Sequence, residues 1–272
     1  MEPFLIAFDM DGTLLNDKKK ISYRTKRYLI SLPKQGHKIV LASGRPSRAL
    51  ISYHKELKLD TPLICYNGAY VFSLTDKDFP TKAFEFPKEI VKDVYLKLKP
   101  YSLNTMCETD KEIWVDRADL YLAKFFWYDN MDIIYGELDK TLDKNPMTMI
   151  VQTPEEVKDT KAITDIVKDY PDLEIRFWTG SPYFELFYKN ISKGSAVKLI
   201  ADYYHIPKDR IIVFGDAEND VEMFLEAGTA VMMSNGKQTL KEKSHMESIK
   251  DNNHNGIYHT LKTILKKKTK AS

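Results

Sequence analysis

The sequence predicts an α/β protein in which a doubly wound, Rossmann-like parallel sheet forms the core and an α+β domain is inserted into it. Three observations support this fold class. Short apolar runs alternate with amphipathic segments at the start of the 272-residue chain, and the same alternation returns near its end. A central stretch that is rich in predicted strands separates the two. The two outer pieces, about 1–83 and 189–272, are therefore predicted to build one sheet.

The first piece follows a β-α-β-α-β order. Apolar runs predict strands over residues 4–8, 38–42 and 62–65, and amphipathic spacing predicts helices over 23–32 and 48–57. Strands that alternate with helices in this way are typical of parallel sheets, because each crossover needs a dozen or more residues.

The last piece repeats the pattern. Helices are predicted over residues 195–204 and 220–226, and strands over 211–214 and 230–233. Its strands are apolar runs without strict alternation, as expected where both faces of a sheet are covered.

The central part, about residues 84–188, has a different sequence pattern. Strands are predicted over 112–115, 147–152 and 183–187, with helices over 88–97 and 155–169. We expect an inserted α+β domain whose junctions with the core serve as hinges.

Composition narrows the classes of partner. The chain is 43% hydrophobic and 29% charged with a formal net charge of +2, which indicates neither disorder nor attraction to nucleic acid. Its apolar runs are shorter than the ~20 residues that a membrane helix needs, and no signal sequence precedes the first strand. We therefore expect a cytoplasmic protein with a small-molecule partner and no membrane or nucleic-acid partner; the oligomeric state stays open.

Two aspartates, Asp9 and Asp11, directly follow the first predicted strand. Side chains two residues apart in a strand face the same way, so two carboxylates at the strand exit can converge on one small volume. Their repulsion calls for a cation, and hard oxygen ligands favour magnesium. Alone, such a pair is more often a solvated turn.

Polar residues also follow two other predicted core strands, at the edge where open α/β sheets bind ligands. Ser43-Gly44-Arg45 follows the strand 38–42, and a run with three acids, residues 215–220, follows the strand 211–214. Lys193 precedes a predicted helix, whose free amides favour an anion. Together these residues offer carboxylates for a metal, and a lysine, a hydroxyl and amides for a phosphate.

With these motifs in order, the chain resembles phosphatases of the haloacid dehalogenase superfamily, in the Cof-type branch that carries a large inserted cap. The resemblance covers essentially the whole chain, and residue 217 is alanine where the family usually has glycine. The four matching motifs are Asp9-Met10-Asp11-Gly12-Thr13, Ser43-Gly44-Arg45, Lys193-Gly194 and Gly215-Asp216-Ala217-Glu218-Asn219-Asp220.

The resemblance implies hydrolysis of a small phosphorylated metabolite with Mg²⁺ as cofactor. Asp9 would be the nucleophile that forms an aspartyl-phosphate, and Asp11 the general acid and base. The metal would be held by the Asp9 side chain, the Asp11 backbone carbonyl and Asp216, with Asp220 behind them. The implied phosphate- and substrate-binding residues are Ser43, Lys193 and Asn219, together with Gly44, Arg45 and Asn67.

Two alternatives stay open. The same aspartyl-phosphate could be transferred to a second hydroxyl, as in a phosphosugar mutase, or the fold could have lost the reaction and become a ligand sensor. The intact motifs argue against the sensor. The physiological substrate is not predictable, because selectivity depends on cap side chains that meet only in the folded protein.

Overall fold

The computed structural model describes residues 2–126, 130–178 and 180–271 and divides into two compact units. The first comprises the residues up to Lys82 and those from Ser192 onward, and the second is Ala83–Ile191. The sequence placed the two junctions at 83/84 and 188/189. The later junction lies further along because Ser192 caps the first helix after it and so belongs with that helix.

The described residues of the first unit form eight strands and five α-helices, with labels that run along the whole chain. The strands are β1 (Leu5–Phe8), β2 (Lys38–Ala42), β3 (Leu63–Cys65), β4 (Tyr70–Phe72), β5 (Lys82–Ala83), β12 (Ile211–Gly215), β13 (Thr229–Met232) and β14 (Met246–Glu247). The helices are α1 (Tyr23–Ser31), α2 (Ser47–Glu56), α7 (Lys193–Tyr203), α8 (Val221–Leu225) and α9 (Gly256–Ala271).

The strands of the first unit form one sheet in the order β14-β13-β12-β1-β2-β3-β4-β5. From β14 to β3 the pairs are parallel, and β4 runs antiparallel to β3. In the central pairs Phe8 lies opposite both Phe214 and Leu41. The residues that follow β1, β2 and β12 therefore emerge side by side at one edge, and the α/β fold class is confirmed.

Burial explains why two distant pieces of sequence share this sheet. All residues of β1 and β12 are buried, and Leu5, Val213 and Ile200 belong to one apolar cluster. Since both faces of a parallel sheet are covered, neither piece could shield its strands without the other.

One predicted helix start in this unit needs correction. Helix α7 begins at Lys193 instead of residue 195, because the Ser192 hydroxyl accepts the Ser195 N–H and the Ser195 hydroxyl accepts the Ser192 N–H in a capping box. The predicted helix 220–226 matches the short α8, which a 3₁₀ turn over Glu218–Asp220 precedes.

The second unit contains a six-stranded sheet with helices packed against both of its faces. Its strands are β6 (Asn104–Glu108), β7 (Glu112–Val115), β8 (Asp132–Tyr135), β9 (Thr148–Gln152), β10 (Leu173–Phe177) and β11 (Tyr183–Tyr188), and their order in the sheet is β10-β11-β9-β6-β7-β8. Its helices are α3 (Lys88–Leu98), α4 (Leu120–Phe125), α5 (Leu138–Thr141) and α6 (Lys161–Val167).

The predicted helix 155–169 is largely wrong at its start, since α6 begins only at Lys161. The Thr153 hydroxyl donates to the Glu155 and Pro182 carbonyls, and the Asp159 side chain accepts the Lys161 N–H. These side-chain hydrogen bonds compete with the backbone hydrogen bonds of a helix and hold residues 153–160 in a non-helical conformation. Across the described ranges, no helix is both long and apolar enough to cross a membrane.

Candidate active site

A buried ion pair lies at the carboxyl edge of the first unit's sheet. Asp9 follows β1, and Lys193 occupies the first turn of α7, where its side chain is fully buried. The Lys193 ammonium lies 2.5 Å from Asp9 Oδ1 and 2.7 Å from Asp220 Oδ1. One lysine thus links carboxylates from two different strand ends.

Burial perturbs both partners of this pair. Burial raises the pKa of Asp9 well above its ordinary value, Lys193 opposes this, and the carboxylates of Asp220 and Asp216 add to it. Burial alone would lower the pKa of Lys193, but Asp220 and Asp9 outweigh it and hold that pKa above its usual range. The lysine is therefore a permanent cation among carboxylates.

Asp9, Asp216 and Asp220 form an acidic cluster in which one oxygen of each lies within 4.8 Å of the others. Both Asp220 oxygens are already occupied, since Oδ1 pairs with Lys193 while Oδ2 accepts the backbone N–H of Asp216 and of Ala217 at 2.9 and 3.1 Å. Asp220 therefore orients the others more than it offers a free ligand atom.

The cluster has the donor chemistry of a site for a hard cation. The Thr13 hydroxyl donates to Oδ1 of Asp216 at 2.7 Å, and Lys193 pairs with Oδ1 of Asp9. Burial raises the pKa of Asp216 to about 6 although Thr13 opposes the shift. Three carboxylates against one lysine leave excess negative charge, which a divalent cation with oxygen preference would offset.

Gly12 lets the chain pass close to this cluster. Its φ is +75°, and a Cβ added there would lie 2.3 Å from Asp216 Oδ2. Any larger residue would therefore displace the carboxylate, which gives the glycine of the first motif a steric reason.

The Asp11 carboxylate belongs to a separate group. Arg45 Nε donates to Oδ2 and Arg45 Nη2 to Oδ1, both at 2.6 Å, and Lys19 Nζ lies 2.6 Å from Oδ1. Burial would raise the pKa of Asp11, but the hydrogen bonds and charges of Arg45 and Lys19 lower it below its usual value. The two predicted catalytic aspartates thus have different partners and opposite pKa shifts.

The predicted phosphate-binding residues lie at the same sheet edge. The Ser43 hydroxyl accepts the Arg45 N–H at 3.2 Å, and the Ser43 carbonyl accepts the Asn67 N–H at 3.0 Å. Asn67, with a left-handed φ of 53°, lies against Gly44 and accepts a bond from Asn219 Nδ2 at 2.9 Å. The ends of β2, β3 and β12 are therefore joined by hydrogen bonds.

Sequence patterns did not single out three contributors to this edge. Lys19 is one of three consecutive lysines and carries no distinguishing signal, whereas Thr13 is part of the first motif but has no role of its own in it. Asn235 Nδ2 donates to the Gly12 carbonyl at 2.7 Å, and its own Oδ1 accepts the Asn252 N–H. The sequence signal for bonds of this kind was the cluster of asparagines at 252, 253 and 255, because asparagine side chains readily form hydrogen bonds with nearby backbone groups.

Comparison with known proteins agrees with this arrangement. The family model for haloacid dehalogenase-like hydrolases matches residues 6–261. The phosphatase YitU of Bacillus subtilis, named for 5-amino-6-(5-phospho-D-ribitylamino)uracil, is 30% identical over 265 residues, which cover 96% of this chain and 97% of the relative. The similarly named YbjI of Escherichia coli is 25% identical over 283 residues, 96% of each chain.

A solved structure shows the same fold. The crystal structure of the Thermotoga maritima protein TM0651 matches with a TM-score of 0.78 and 27% identity, over 97% of each chain. The family model spans both units, and the resemblance read from the four motifs is confirmed at the level of the family. The chain belongs to the haloacid dehalogenase-like hydrolases and is a phosphatase of that family.

Proposed function

We propose that the protein is a magnesium-dependent phosphatase that hydrolyses small phosphomonoesters through an aspartyl-phosphate on Asp9. The observation that carries the proposal is the Lys193 ammonium held between Asp9 and Asp220, with Asp216 completing the acidic cluster. A carboxylate at the end of a strand, with a buried cation on one oxygen, has its other oxygen available to attack phosphorus.

The acidic cluster would hold Mg²⁺ through the side chains of Asp9 and Asp216 and the backbone carbonyl of Asp11. Asp220 would keep Asp216 in place through the backbone bonds it accepts. When bound, the ion supplies positive charge that offsets the repulsion between Asp9 and an anionic substrate.

Two displacements at phosphorus complete the reaction. In the first, an Asp9 oxygen bonds to phosphorus, the bond to the leaving oxygen breaks, and Asp11 gives that oxygen a proton. In the second, Asp11 takes a proton from water, whose oxygen bonds to phosphorus and releases Asp9.

The partners of Asp11 suit both steps. Arg45 and Lys19 favour the ionised carboxylate, which is the form that accepts a proton from water. A substrate phosphate dianion opposes these two cations and so favours the protonated form that the first step needs.

The transferring phosphoryl oxygens would be held by groups fixed before the substrate arrives. Such preorganised charge and hydrogen bonding commonly supply the largest part of catalysis in phosphoryl transfer. We assign this role to Ser43, Lys193 and Asn219, with Gly44, Arg45 and Asn67 around them.

We infer that the substrate is a sugar phosphate or a phosphorylated cofactor, and that the unit Ala83–Ile191 acts as the cap that selects it. The names of YitU and YbjI support a ribityl phosphate as one member of the test panel. An inserted unit of its own fold can select among substrates while the phosphate site stays common to the family.

Phosphate release is measured from p-nitrophenyl phosphate and from a panel of sugar phosphates, nucleotides and phosphorylated cofactors. We expect activity that needs Mg²⁺ and that Asp9→Asn lowers at least ~1,000-fold, whereas the exposed-loop control Asp78→Asn leaves it unchanged. Robust turnover by Asp9→Asn, or after chelation of metal, would contradict the mechanism.

Two further readouts separate the alternatives. A hydroxylamine-sensitive label from ³²P-substrate should appear on the wild type and not on Asp9→Asn. An isomeric sugar phosphate that accumulates without free phosphate would indicate a mutase. Binding of the whole panel without turnover would indicate a sensor.

A further inference from the structure

Lys19 contributes a third hydrogen bond to the carboxylate of Asp11, and the three bonds are unevenly distributed. Among the described residues, Oδ1 accepts from both Lys19 Nζ and Arg45 Nη2, while Oδ2 accepts only from Arg45 Nε. Each carboxylate oxygen has two acceptor positions. Oδ1 is therefore fully used, and Oδ2 keeps one position open.

The turn that carries Lys19 is built for one conformation. Lys19 has a left-handed φ of 56°, which is uncommon for a residue with a side chain. The Asn16 side-chain oxygen accepts the N–H groups of Lys18 and Lys20, each at 3.0 Å, and the Asn16 carbonyl accepts the Lys19 N–H at 2.8 Å. The Tyr53 hydroxyl donates to the Lys19 carbonyl at 2.9 Å and ties the turn to α2.

A second set of bonds anchors the turn from the carboxyl-terminal part of the chain. Asn253 Oδ1 accepts the Asp17 N–H and its Nδ2 donates to Asp17 Oδ2, both at 3.1 Å. Asn252 Nδ2 donates to the Leu15 carbonyl at 3.0 Å. Strained backbone persists only where its surroundings hold it, and such strain often marks a functional position.

A solvent-exposed lysine would not need this support. The Lys19 side chain is 59% exposed, so its ion pair by itself contributes little to folding. The bonds around the turn instead determine where the ammonium lies relative to Asp11.

We propose that Lys19 is a positioning residue for the reaction: with Arg45 it orients the Asp11 carboxyl so that Oδ2 is the oxygen that exchanges a proton with substrate and water. This inference rests on the proposed function of Asp11 as general acid and base. The two bonds from Arg45 fix the plane of the carboxyl but leave one acceptor position on each oxygen, and Lys19 takes the one on Oδ1.

The role predicts a dependence on the leaving group. An alkoxide needs a proton as it leaves, whereas p-nitrophenolate leaves readily without one, so a misoriented Asp11 slows formation of the aspartyl-phosphate only from the first class. Breakdown of the aspartyl-phosphate by water needs Asp11 whichever ester formed it, so the test must isolate the first step. Loss of a general folding contribution or of phosphate binding would instead affect both classes of ester alike.

The test compares Lys19→Met, Lys19→Arg and the control Lys18→Met with the wild type. Lys18 is the adjacent exposed lysine, and only its backbone N–H forms a described hydrogen bond. For each protein, the rate of leaving-group release in a single turnover with enzyme in excess, and KM, are measured with p-nitrophenyl phosphate and with the alkyl phosphate that the wild type hydrolyses fastest.

We expect Lys19→Met to lower the single-turnover rate about tenfold for the alkyl ester and less than about twofold for the aryl ester, with KM little changed. Lys19→Arg should recover most of the loss, and Lys18→Met should match the wild type. Equal losses on both esters, no loss on either, or an equal loss in Lys18→Met would overturn the inference. Because each comparison uses active wild-type protein, a negative result leaves the proposed function standing, whereas an inactive wild type overturns that function itself.

Discussion

Replacement of Lys193 by methionine tests the electrostatics at the centre of the site. The side chain is fully buried, and its ammonium is the cation between Asp9 and Asp220 at 2.5 and 2.7 Å. Methionine keeps much of the apolar length of the stem, so the change removes charge and hydrogen bonds with little change in volume.

The expected loss of folding free energy is large because two carboxylates stay buried without a cation. Removal of one partner from a buried pair costs about 3–5 kcal/mol. For a protein near this size 1 kcal/mol shifts the melting temperature by about 2–4 °C, so the shift should be roughly 6–20 °C. Lys198→Met is the matched control: Lys198 lies on the same helix and pairs with Asp202 at 2.8 Å, but its side chain is 56% exposed.

An exposed i,i+4 pair contributes only about 0.3–0.5 kcal/mol, so the control should melt within about 2 °C of the wild type. Melting is followed by far-ultraviolet circular dichroism in the presence of chelator, since a bound divalent cation would replace part of the missing charge. Tryptophan fluorescence is unsuitable, because Trp114 and Trp178 belong to the other unit and the third tryptophan of the sequence, Trp127, lies outside the described residues.

Activity is measured on the same samples at a temperature where both variants are folded. We expect Lys193→Met to lower kcat at least about 100-fold and Lys198→Met to leave it unchanged. Equal melting temperatures for the two variants would refute the reasoning, because they would show that Asp9 and Asp220 do not depend on a buried cation. Added Mg²⁺ should raise the melting temperature of Lys193→Met more than that of the control.

Two further predictions concern folding of the first unit. His54 is buried, and its Nε2 is bonded to the Thr61 carbonyl at 2.7 Å. Burial lowers the pKa of His54 below 6.5. The unfolded chain therefore binds this proton more readily, and the free energy of unfolding falls as the pH drops below 6.5. His54→Gln should make that decline shallower by up to about 1.4 kcal/mol per pH unit, measured by urea unfolding above and below pH 6.5; an unchanged slope would contradict the assignment. Gly68→Ala should lower the free energy of unfolding by more than about 3 kcal/mol, since φ is +105° and the added Cβ would lie 2.2 Å from the Ser192 carbonyl oxygen. Gly36→Ala, where φ is +88° and the space is open, should lower it by about 1–2 kcal/mol in the same urea titration. Equal losses for the two alanine variants would show that the close approach at Gly68 is not limiting.

Much of the fold was predictable because local patterns report burial. The runs that became β1 and β12 carry no charged residue, and in β2 only the first residue, Lys38, is charged, because a strand covered on both faces favours apolar residues. Prediction failed before α6, where the Thr153 and Asp159 side chains bind nearby backbone groups and turns replace the expected helix. Spacing alone does not reveal such bonds.

The features of the candidate site likewise divide into those that the sequence predicts and those that depend on packing. The sequence by itself determined which residues follow the core strands and which family the chain belongs to, because motif order survives in one dimension. Only the tertiary structure decided the partners: Lys193 meets Asp9 across 184 residues, and Asp11 pairs with Arg45 and Lys19 instead of the acidic cluster. Hydrogen-bond partners and desolvation depend on how distant segments pack, and this packing gives the two aspartates of one short motif opposite pKa shifts.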